Sequence, residues 1–396
     1  MMQISPETQL FICEHSSDDV RALALQAKKY PDIDMPTAIT QIAGRKVAAE
    51  KIPSWWEIEK IWYPKHLSLE QCSSEITARY KARLLQGDSL TDLTGGFGID
   101  CSFLATGFKS ATYVERQEEL CEIAAHNFPV LNLNHINIKN EDGVTYLQAM
   151  SPVDCLFLDP ARRNEHGGKT VAISDCEPNV AELEELLLQK ANRVMIKLSP
   201  MLDLSLALKE LKQTQEVHIL SVNNECKELL ILLGQTSPAE ISIHCVNLFT
   251  KGTQKEQHFV FTREQEQCSE CTYTDSLETY LHEPNASLLK AGAFRSIAAA
   301  YPVRKLHPNS HLYTSDTFIE NFPGRIFRIV NQCSFNKKEV KENLADLKKA
   351  NVTVRNFPAT VAELRKRIHL AEGGDTYLFA STLNNGQKVL IRCEKV

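Results

Sequence analysis

Between residues 88 and 248, short apolar segments alternate with amphipathic ones, and this alternation constrains the fold more than any other feature of the sequence. Amphipathic helices are predicted at 116–127 and 178–191. Strands that alternate with helices predict a parallel sheet with helices on both faces. The predicted strands are SLTDLT, SATYVE, INIKNED, VDCLFLD, RVMIKLS, EVHILSV, ELLILLG and EISIHCV. No helix fits between the last two strands, so we expect them to form an antiparallel hairpin at the edge of the sheet.

The regions on either side of this alternation have different patterns. Residues 16–86 repeat apolar positions at helical spacing, which predicts a helical N-terminal domain at 1–86. One of the predicted helical stretches is LSLEQCSSEITARYKARLL, residues 67–85. A central α/β domain is expected at 87–248. Residues 249–324 form a third segment, with a helix in NASLLKAGAFRSIAAAY that Asn285 is placed to cap. Residues 325–396 are predicted as strand, helix, strand, helix, strand, with the hairpin turn NNG before the final strand QKVLIR.

Composition excludes several classes of protein. The chain has 396 residues, of which 43% are hydrophobic and 24% charged, as in globular proteins of two to four domains. No apolar run reaches the roughly 18 residues of a membrane helix, and no secretory signal is evident, so we expect a cytoplasmic protein without a membrane partner. The 12 cysteines are scattered, as expected for reduced thiols. Cys268 and Cys271 have a metal-type spacing, but no second pair or His cluster lies near them in sequence, so a reduced pair and no metal are expected.

Charge is distributed unevenly along the chain. The formal net charge is −6, yet residues 325–396 contain 14 Lys and Arg against 7 Asp and Glu. This asymmetry indicates a surface that binds a polyanion such as a nucleic acid. An ordinary solvated basic surface accounts for the charge equally well. The candidate contact residues are Lys348, Lys349, Arg365, Lys366 and Arg367.

The segment LTDLTGGFGIDCSFLA, residues 90–105, joins the first predicted strand to a helix. The strand ends near Asp92, and Gly95, Gly96 and Gly98 precede the helix. Glycines let the backbone approach a ligand closely, and a helix N-terminus presents free N–H groups. The segment therefore predicts a nucleotide-type binding loop. Asp100 either faces the ligand or is a simple first-turn acid.

Three more acids end the strands that follow. Ligands bind at the carboxyl ends of the strands in open α/β sheets. Glu115 is there suited to accept hydrogen bonds from both hydroxyls of a ribose. Asp142 is placed to accept from an adenine amino group, although Glu141 could take this role instead. Asp159 ends the fourth strand.

The glycine spacing differs from the G-x-G-x-x-G of dinucleotide enzymes. It resembles the first motif of class I S-adenosylmethionine (SAM) methyltransferases, and Asp-Pro after the fourth strand resembles their fourth motif. LSLEQCSSEITARYKARLL before DLTGGFGID, followed by DPARR and IKLSP, resembles a bacterial family over nearly the whole chain. Its members join a helical N-terminal domain, a Rossmann-like class I methyltransferase domain, a ferredoxin-like segment and a THUMP-like domain. The resemblance implies SAM as the cofactor, bound by Asp92, Gly95, Gly96, Gly98, Asp100, Glu115 and Asp142.

The resemblance also implies a catalytic role for DPARR. In methyltransferases that act on exocyclic amines, an Asn or Asp followed by Pro-Pro and an aromatic residue holds the amino group. Asp159 and Pro160 match this pattern, whereas Ala161 and Arg162 replace the second proline and the aromatic residue. The Arg162 plane can stack on a base, and Arg163 is a candidate RNA contact, although both arginines could form surface ion pairs. The target atom stays open between adenine N6, guanine N2 and another amine.

Lys197 in IKLSP ends the fifth strand and is a candidate to face the substrate; a lysine that reaches solvent is the alternative. Methyl transfer from a sulfonium is an in-line displacement, for which alignment supplies most of the acceleration. It implies neither a metal nor a dedicated base. A cysteine nucleophile is disfavoured, because Cys155 lies mid-strand, four residues before Asp159, and is expected to be buried.

Two functions remain from the sequence. The first is a SAM-dependent methyltransferase that modifies a base amino group of tRNA or rRNA, with the C-terminal domain binding the RNA. The alternative is a non-catalytic RNA- or protein-binding module that retains the methyltransferase fold, as the altered fourth motif would allow. A small-molecule methyltransferase would not need the basic C-terminal segment.

Overall fold

The computed structural model describes residues 4–162, 172–236 and 238–396. These residues form two compact units, and each unit is built from two separate stretches of the chain. The first unit consists of Met1–Gln215 and Leu229–Pro238, and the second of Glu216–Glu228 and Ala239–Val396.

The described residues of the first unit begin with six α-helices, five of which lie where the apolar spacing predicts helical structure. They are α1 (Pro6–Glu14), α2 (Val20–Leu25), α3 (Met35–Lys51), α4 (Pro53–Trp56), α5 (His66–Gln71) and α6 (Glu75–Ala82). Side chains cap several of these helices; Asp34, for example, accepts a hydrogen bond from the Thr37 N–H at the start of α3. The sequence predicts continuous helix between residues 67 and 85, whereas the chain is extended at Cys72 and Ser74, between α5 and α6. Among the helices of the described residues, none is long and apolar enough to cross a membrane.

Strands and helices then alternate, which confirms the α/β fold. The elements are β1 (Ser89–Asp92), α7 (Ile99–Ala105), β2 (Ser110–Glu115), α8 (Glu118–Val130), β3 (Ile136–Asn140), α9 (Gly143–Ala149), β4 (Val153–Leu158), β5 (Ala161–Arg162), β6 (Cys176–Glu177), α10 (Val180–Lys190), β7 (Ala191–Leu198), α11 (Leu204–Glu210), β8 (Thr214–Val222) and β9 (Glu225–Gly234). In the first unit the strand order is β9-β7-β4-β1-β2-β3. All neighbours from β7 to β3 are parallel, and β9 is antiparallel to β7. The carboxyl ends of β1, β2, β3, β4 and β7 therefore lie along one edge of the sheet.

One expected pairing is wrong. The sequence predicts a hairpin between ELLILLG and EISIHCV, but the second of these segments, β10 (Ser242–Leu248), does not pair with β9. It pairs in parallel with β8 and in antiparallel with β11 (Glu256–Thr262). Both segments are largely buried apolar strands, so their pattern gives strand type and length but does not specify the neighbour.

The second unit also contains a seven-stranded sheet. After β11 come α12 (Arg263–Cys268), β12 (Tyr280–Pro284), α13 (Ala286–Ala291), α14 (Ser296–Ala300), β13 (Arg304–Lys305), β14 (Tyr313–Ser315), β15 (Gly324–Ser334), α15 (Lys337–Leu344), β16 (Lys349–Val354), α16 (Val361–Ile368), β17 (Ala371–Thr382) and β18 (Lys388–Lys395). The strand order is β13-β14-β12-β15-β18-β17-β16. The alternation predicted for 325–396 is confirmed, and Gly386, with φ +86°, closes the predicted hairpin turn.

The helix predicted at 285–301 is two helices. Asn285 caps α13 as expected, because its side chain accepts a hydrogen bond from the Leu288 N–H. Gly292 ends α13 in the left-handed conformation, with φ +78°, and the chain resumes helical structure only at α14. A glycine that adopts positive φ at a helix end is a common terminator, which helical periodicity alone does not reveal.

Candidate active site at the carboxyl edge of the parallel sheet

The glycine loop between β1 and α7 has a conformation that side chains would prevent. Gly96 and Gly98 have φ values of +53° and +86°, in the left-handed region that favours glycine. A Cβ on Gly95 would lie 2.3 Å from the Tyr113 ring. The Tyr113 hydroxyl in turn donates to the Gly96 carbonyl at 2.5 Å. Backbone strain at two glycines and close packing at the third therefore explain the Gly-Gly-x-Gly spacing.

Helices of the same unit pack against this loop. The Trp55 ring lies 5.2 Å from the Phe97 ring in an edge-on arrangement, and the Tyr63 ring lies 6.3 Å from it. Tyr63 is itself held by Gln41, which exchanges two hydrogen bonds of 2.9 Å with its backbone. The N-terminal helices thus fix the position of the loop between β1 and α7.

Glu115, at the end of β2, is tied to the loop through one carboxylate oxygen. Its Oε2 accepts a 2.9 Å hydrogen bond from the Gly96 N–H, and its Oε1 accepts a 2.8 Å bond from the Gln117 N–H. The residue is buried, so the carboxylate is held in one orientation. Each carboxylate oxygen has further lone pairs, which leaves Glu115 able to accept from additional hydroxyl groups.

Asp92, at the end of β1, carries a buried oxygen without a partner. Its Oδ1 accepts a 3.0 Å hydrogen bond from the Thr94 N–H. Its Oδ2 is buried and has no hydrogen-bond partner among the residues that the structure describes. Burial raises the pKa of Asp92 to about 8, against the opposing Thr94 hydrogen bond and with help from nearby Asp100 and Asp159. An unpaired buried acceptor is costly, so this oxygen fits a ligand that brings a donor or a positive charge.

Asp142 lies between β3 and α9, where it caps the N-terminus of α9. Its Oδ1 accepts hydrogen bonds of 3.0 Å from the Val144 and Thr145 N–H groups. The carboxylate is exposed, next to the partly buried Glu141. A Cβ on Gly143 would lie 2.2 Å from the Leu93 carbonyl oxygen, so the β3 and β1 connections are in close contact. The capping contact accounts for the position of Asp142, and its adenine contact stays a prediction.

A buried cluster of charges lies beside the glycine loop. Lys81, whose side chain is 0% exposed, contacts the Asp100 Oδ1 at 2.9 Å. Lys197, from the end of β7, lies 3.3 Å from the Asp100 Oδ2. Burial alone would raise the pKa of Asp100, but the two ammonium groups and the hydrogen bonds from Lys81 and Ser73 outweigh it and lower that pKa. Asp100 is therefore a buried anion held between two lysines, rather than a simple first-turn acid.

Ser73 connects these charges. Its hydroxyl donates to the Asp100 Oδ2 at 2.7 Å and accepts hydrogen bonds from Lys81 at 2.7 Å and from Lys197 at 3.0 Å. Ser73 occupies the break between α5 and α6, so the interruption of the predicted helix is what brings its hydroxyl into the cluster.

Asp159 is joined to the same cluster through Lys197. The Lys197 Nζ donates to the Asp159 Oδ2 at 2.5 Å, and the Asp159 N–H donates to the Thr94 hydroxyl at 2.6 Å. Burial raises the pKa of the Asp159 carboxyl, and the Lys197 ammonium opposes that shift. The side chain is still 37% exposed, unlike that of Lys81. Asp159 is thus a fixed carboxylate that an incoming molecule can reach.

Other sequence predictions have mixed outcomes. Pro160 is buried directly after Asp159. The backbone of Arg162 pairs with Cys176 in the short β5–β6 ladder, and Arg163 lies outside the described residues. Cys155 is buried in β4, and burial raises the pKa of its thiol to about 11, which argues against a nucleophilic thiolate. Cys268 and Cys271 are free cysteines.

The candidate nucleic-acid residues lie close together in the second unit. Arg365, Lys366 and Arg367 form the last turn of α16, which leads into β17. Lys349 begins the edge strand β16 and pairs with Ala371, the first residue of β17. The Ala371 N–H donates to the carbonyl of Lys348 at 3.0 Å. The two groups of basic residues, 348–349 and 365–367, therefore lie near the same end of the β16–β17 pair.

Both arginines of this group have partners within the protein. Arg365 pairs with Glu372 at 3.7 Å, and the Arg367 guanidinium lies 4.0 Å from the Phe335 ring centroid. Lys348, Lys349 and Lys366 are exposed. The three lysines are thus the more available for an external polyanion.

The sequence did not indicate some contacts that support the site. The Thr94 hydroxyl, which accepts from the Asp159 N–H, and the Tyr113 hydroxyl, which holds the Gly96 carbonyl, follow no recognised motif. Thr94 begins the glycine loop, and Tyr113 lies in β2, two residues before Glu115. Their closeness in sequence to these motif residues is the only feature of the sequence that could have indicated a role for them.

Comparisons with known proteins agree with this architecture. Family profiles match a ferredoxin-like domain at residues 280–323 and a THUMP domain-like segment at residues 324–395. A solved structure from Porphyromonas gingivalis W83, described as that of a candidate methyltransferase, is 34% identical, with a TM-score of 0.87 over 100% of both chains. No curated protein matches the sequence.

More distant solved structures cover a smaller share of the chain. SMU.1697c from Streptococcus mutans, described as a candidate methyltransferase in complex with SAH, is 13% identical, with a TM-score of 0.30 over 40% of this chain and 96% of its own. An rRNA methylase from Streptococcus thermophilus is 14% identical, with a TM-score of 0.29 over 40% of this chain and 93% of its own.

The parallel sheet and its order of strands define a Rossmann-like class I methyltransferase fold. The full-length match to the P. gingivalis protein places the chain more narrowly. It belongs to the methyltransferase family that joins a helical N-terminal domain and a class I methyltransferase domain to a ferredoxin-like segment and a C-terminal THUMP-like domain.

Proposed function

We propose that this chain is a SAM-dependent methyltransferase that modifies a base amino group of RNA, in tRNA or rRNA. The observation that carries the proposal is the buried, unpartnered Oδ2 of Asp92 beside the glycine loop. Such an oxygen needs a hydrogen-bond partner, and the methionine ammonium of SAM would pair with the ionised carboxylate. Glu115, fixed on the Gly96 N–H at the end of the next strand, is suited to the ribose hydroxyls.

SAM, when bound, supplies an activated methyl group on a sulfonium. Asp92, Glu115 and the loop from Gly95 to Gly98 would hold it, with Asp142 or Glu141 as candidates for its adenine. The unpartnered Oδ2 of Asp92 favours a ligand that carries a positive charge at this edge. Asp100 serves this arrangement indirectly, by positioning Lys197.

The ion pair between Asp159 and Lys197 is the candidate for substrate positioning. Lys197 favours the ionised form of Asp159 and restricts its rotation, and the exposed part of the carboxylate is able to accept an N–H from an amine. An amine so held has its lone pair directed away from the carboxylate, toward a methyl donor. Alignment of this kind supplies much of the acceleration in a displacement reaction. The target amine loses its proton after the transfer, so the site needs no strong base.

The C-terminal domain supports RNA as the substrate class. It matches a THUMP domain-like profile and carries the exposed lysines near the β16–β17 end. Lysines bind phosphates with little dependence on sequence, which leaves base selection to the methyltransferase unit.

The test is methyl transfer from SAM to RNA from cells that lack the protein. RNA and a metabolite extract from the same cells are incubated separately with SAM labelled in its methyl group, and modified nucleosides are identified by mass spectrometry. We expect one labelled nucleoside in RNA and no labelled metabolite. Label in the metabolite extract alone would contradict the RNA assignment. Tight SAM binding without transfer to either would favour the non-catalytic module, which the replacement of an aromatic residue by Arg162 also allows.

A further inference from the structure

Three histidines and a glutamate share one face of the strands β8, β10 and β11 in the second unit. Glu216 and His218 are two residues apart on β8, so their side chains point to the same face. His244 on β10 is directly opposite His218 in the register. His258 lies on the antiparallel neighbour β11. Ligand atoms of Glu216, His218 and His244 all lie within 4.8 Å of one another.

We propose that Glu216, His218 and His244 bind one divalent transition metal ion, most favourably Zn²⁺. Two imidazoles and a carboxylate are a ligand set that zinc uses when a water or another molecule takes its fourth position. Zn–N and Zn–O bonds of about 2.0–2.1 Å place tetrahedral ligand atoms roughly 3.3 Å apart. The Glu216 Oε2 and the His218 Nε2 are separated by 3.2 Å.

His258 is positioned to orient His244 rather than to bind the ion. The His244 Nδ1 lies 3.1 Å from the His258 Nε2. A proton on that Nδ1, donated to His258, directs the lone pair of the His244 Nε2 to the metal, the arrangement by which metal-binding histidines are commonly fixed. The same Nε2 lies 3.2 Å from the Ser242 hydroxyl, a contact that the metal would replace.

Metal binding requires one rearrangement. The rings of His218 and His244 are nearly parallel, with an interplanar angle of 15° and centroids 4.3 Å apart. Imidazole lone pairs lie in the ring plane, so the His244 ring must turn out of this stack for both rings to bind one ion. The His218 side chain is only 3% exposed, whereas that of Glu216 is 31% exposed, so the ion would enter from the Glu216 side. The competing arrangement is a row of hydrogen-bonded imidazoles without metal.

The test is a titration of the full-length protein, stripped with a chelator, with Zn²⁺ by calorimetry and with Co²⁺ by absorption spectroscopy. We expect one ion per chain and Co²⁺ ligand-field bands without a thiolate charge-transfer band. His244→Ala and Glu216→Gln should each weaken binding by at least 100-fold. His258→Ala should weaken it by roughly 10- to 100-fold, as for residues that orient a ligand. Zn²⁺ should raise the melting temperature of the wild type but not that of His244→Ala.

Two control variants separate this site from others. His126→Ala removes a half-buried ring that stacks on Trp62 in the first unit, and should bind Zn²⁺ normally. Cys268→Ser with Cys271→Ser removes the cysteine pair and should also leave binding unchanged. Loss of binding in the cysteine variant with normal binding in His244→Ala would overturn the proposal, as would the absence of binding below millimolar Zn²⁺. Melting in the presence of chelator verifies that each variant folds.

Discussion

The two units of the molecule use charge in opposite ways. At the carboxyl edge of the parallel sheet, Lys81, Asp100 and Lys197 are buried and are held by one another within 3.3 Å. Around the β16–β17 end, Lys348, Lys349 and Lys366 are exposed. Buried charges are expensive unless paired and hydrogen-bonded, and exposed ones are screened by water and salt. The first arrangement is suited to fixing groups for chemistry, and the second to binding a polyanion without fixed geometry.

The largest expected effect is on stability, at Lys81. Lys81→Met leaves Asp100 with one cation fewer in a buried site, and breaking such a pair typically costs about 3–5 kcal/mol. The matched control is Lys65→Met, because Lys65 makes a 2.8 Å ion pair with Glu119 but is 76% exposed. An exposed pair contributes at most about 1 kcal/mol. Urea unfolding of both variants measures the difference; equal losses would show that burial does not distinguish the two pairs.

The next effect is on turnover, at Asp159. Asp159→Ala removes the carboxylate that we propose orients the target amine, an interaction that stabilises mainly the transition state. We expect methylation to fall by roughly 100-fold or more, about 3 kcal/mol, with SAM affinity nearly unchanged. Single-turnover methylation and calorimetry measure the two quantities separately.

Thermal melting serves as the control for Asp159→Ala. Loss of stability in parallel with activity would mean that Asp159 mainly supports the loop and Lys197. A folded, SAM-binding variant with a near-normal rate would assign the amine to another group, such as Lys197 or Arg162.

Glu115 should affect the affinity for SAM. Glu115→Gln keeps an acceptor for the Gly96 N–H but removes the negative charge of the carboxylate that would accept hydrogen bonds from the ribose hydroxyls. A charge-assisted hydrogen bond contributes roughly 1.5–3 kcal/mol, so the dissociation constant should rise about 10- to 100-fold. Calorimetry checks this, with melting of the SAM-free protein as the control for loop integrity. An unchanged dissociation constant would remove Glu115 from the ribose site.

Asp92 predicts a pH dependence. Burial raises its pKa from 3.8 to about 8, so between these values the folded protein keeps a proton that the unfolded chain has released. Stability contributed at Asp92 therefore falls as pH rises through this window, by at most about 1.4 kcal/mol per pH unit. Asp92→Asn cannot ionise, so its stability relative to the wild type should increase from pH 5 to pH 8. Urea unfolding at several pH values measures this, with the exposed Asp88→Asn as a control that should show no such trend.

The same carboxyl should couple SAM binding to proton release. A bound ammonium favours the ionised form of Asp92, so wild-type affinity should rise with pH up to about 8 and the binding heat should vary with the buffer's ionisation enthalpy. In Asp92→Asn both dependences should be lost and the affinity should be lower. Equal proton release by the two proteins would place the ammonium elsewhere.

The features of the two units that depend on local sequence pattern could be predicted from the sequence. Strand and helix alternation, the glycine loop and the acids at strand ends are all encoded within a few residues of one another. Partners across long separations were not predictable: Lys197 is 97 residues from Asp100, and His244 and His258 meet only through the β10–β11 ladder. The break at Ser73 was missed because helical periodicity continues across it, while the tertiary contact with Asp100 and two lysines determines the conformation there.

The smallest expected effect per replaced residue is on RNA affinity, at the exposed lysines. If Lys348, Lys349 and Lys366 contact phosphates, replacing all three with Gln should reduce RNA affinity on the order of tenfold at low salt, and little at high salt. The slope of log affinity against log salt should decrease by about 2–3, because each lost contact removes one released counterion. Lys28→Gln with Lys29→Gln removes exposed lysines of the other unit and should leave the slope unchanged. Filter binding at several salt concentrations measures both variants. Because the three side chains are exposed, we expect their replacement to leave the fold intact, so the salt slope reports phosphate contacts alone. A slope that is equal in the wild type and the triple variant would exclude these lysines from the RNA interface.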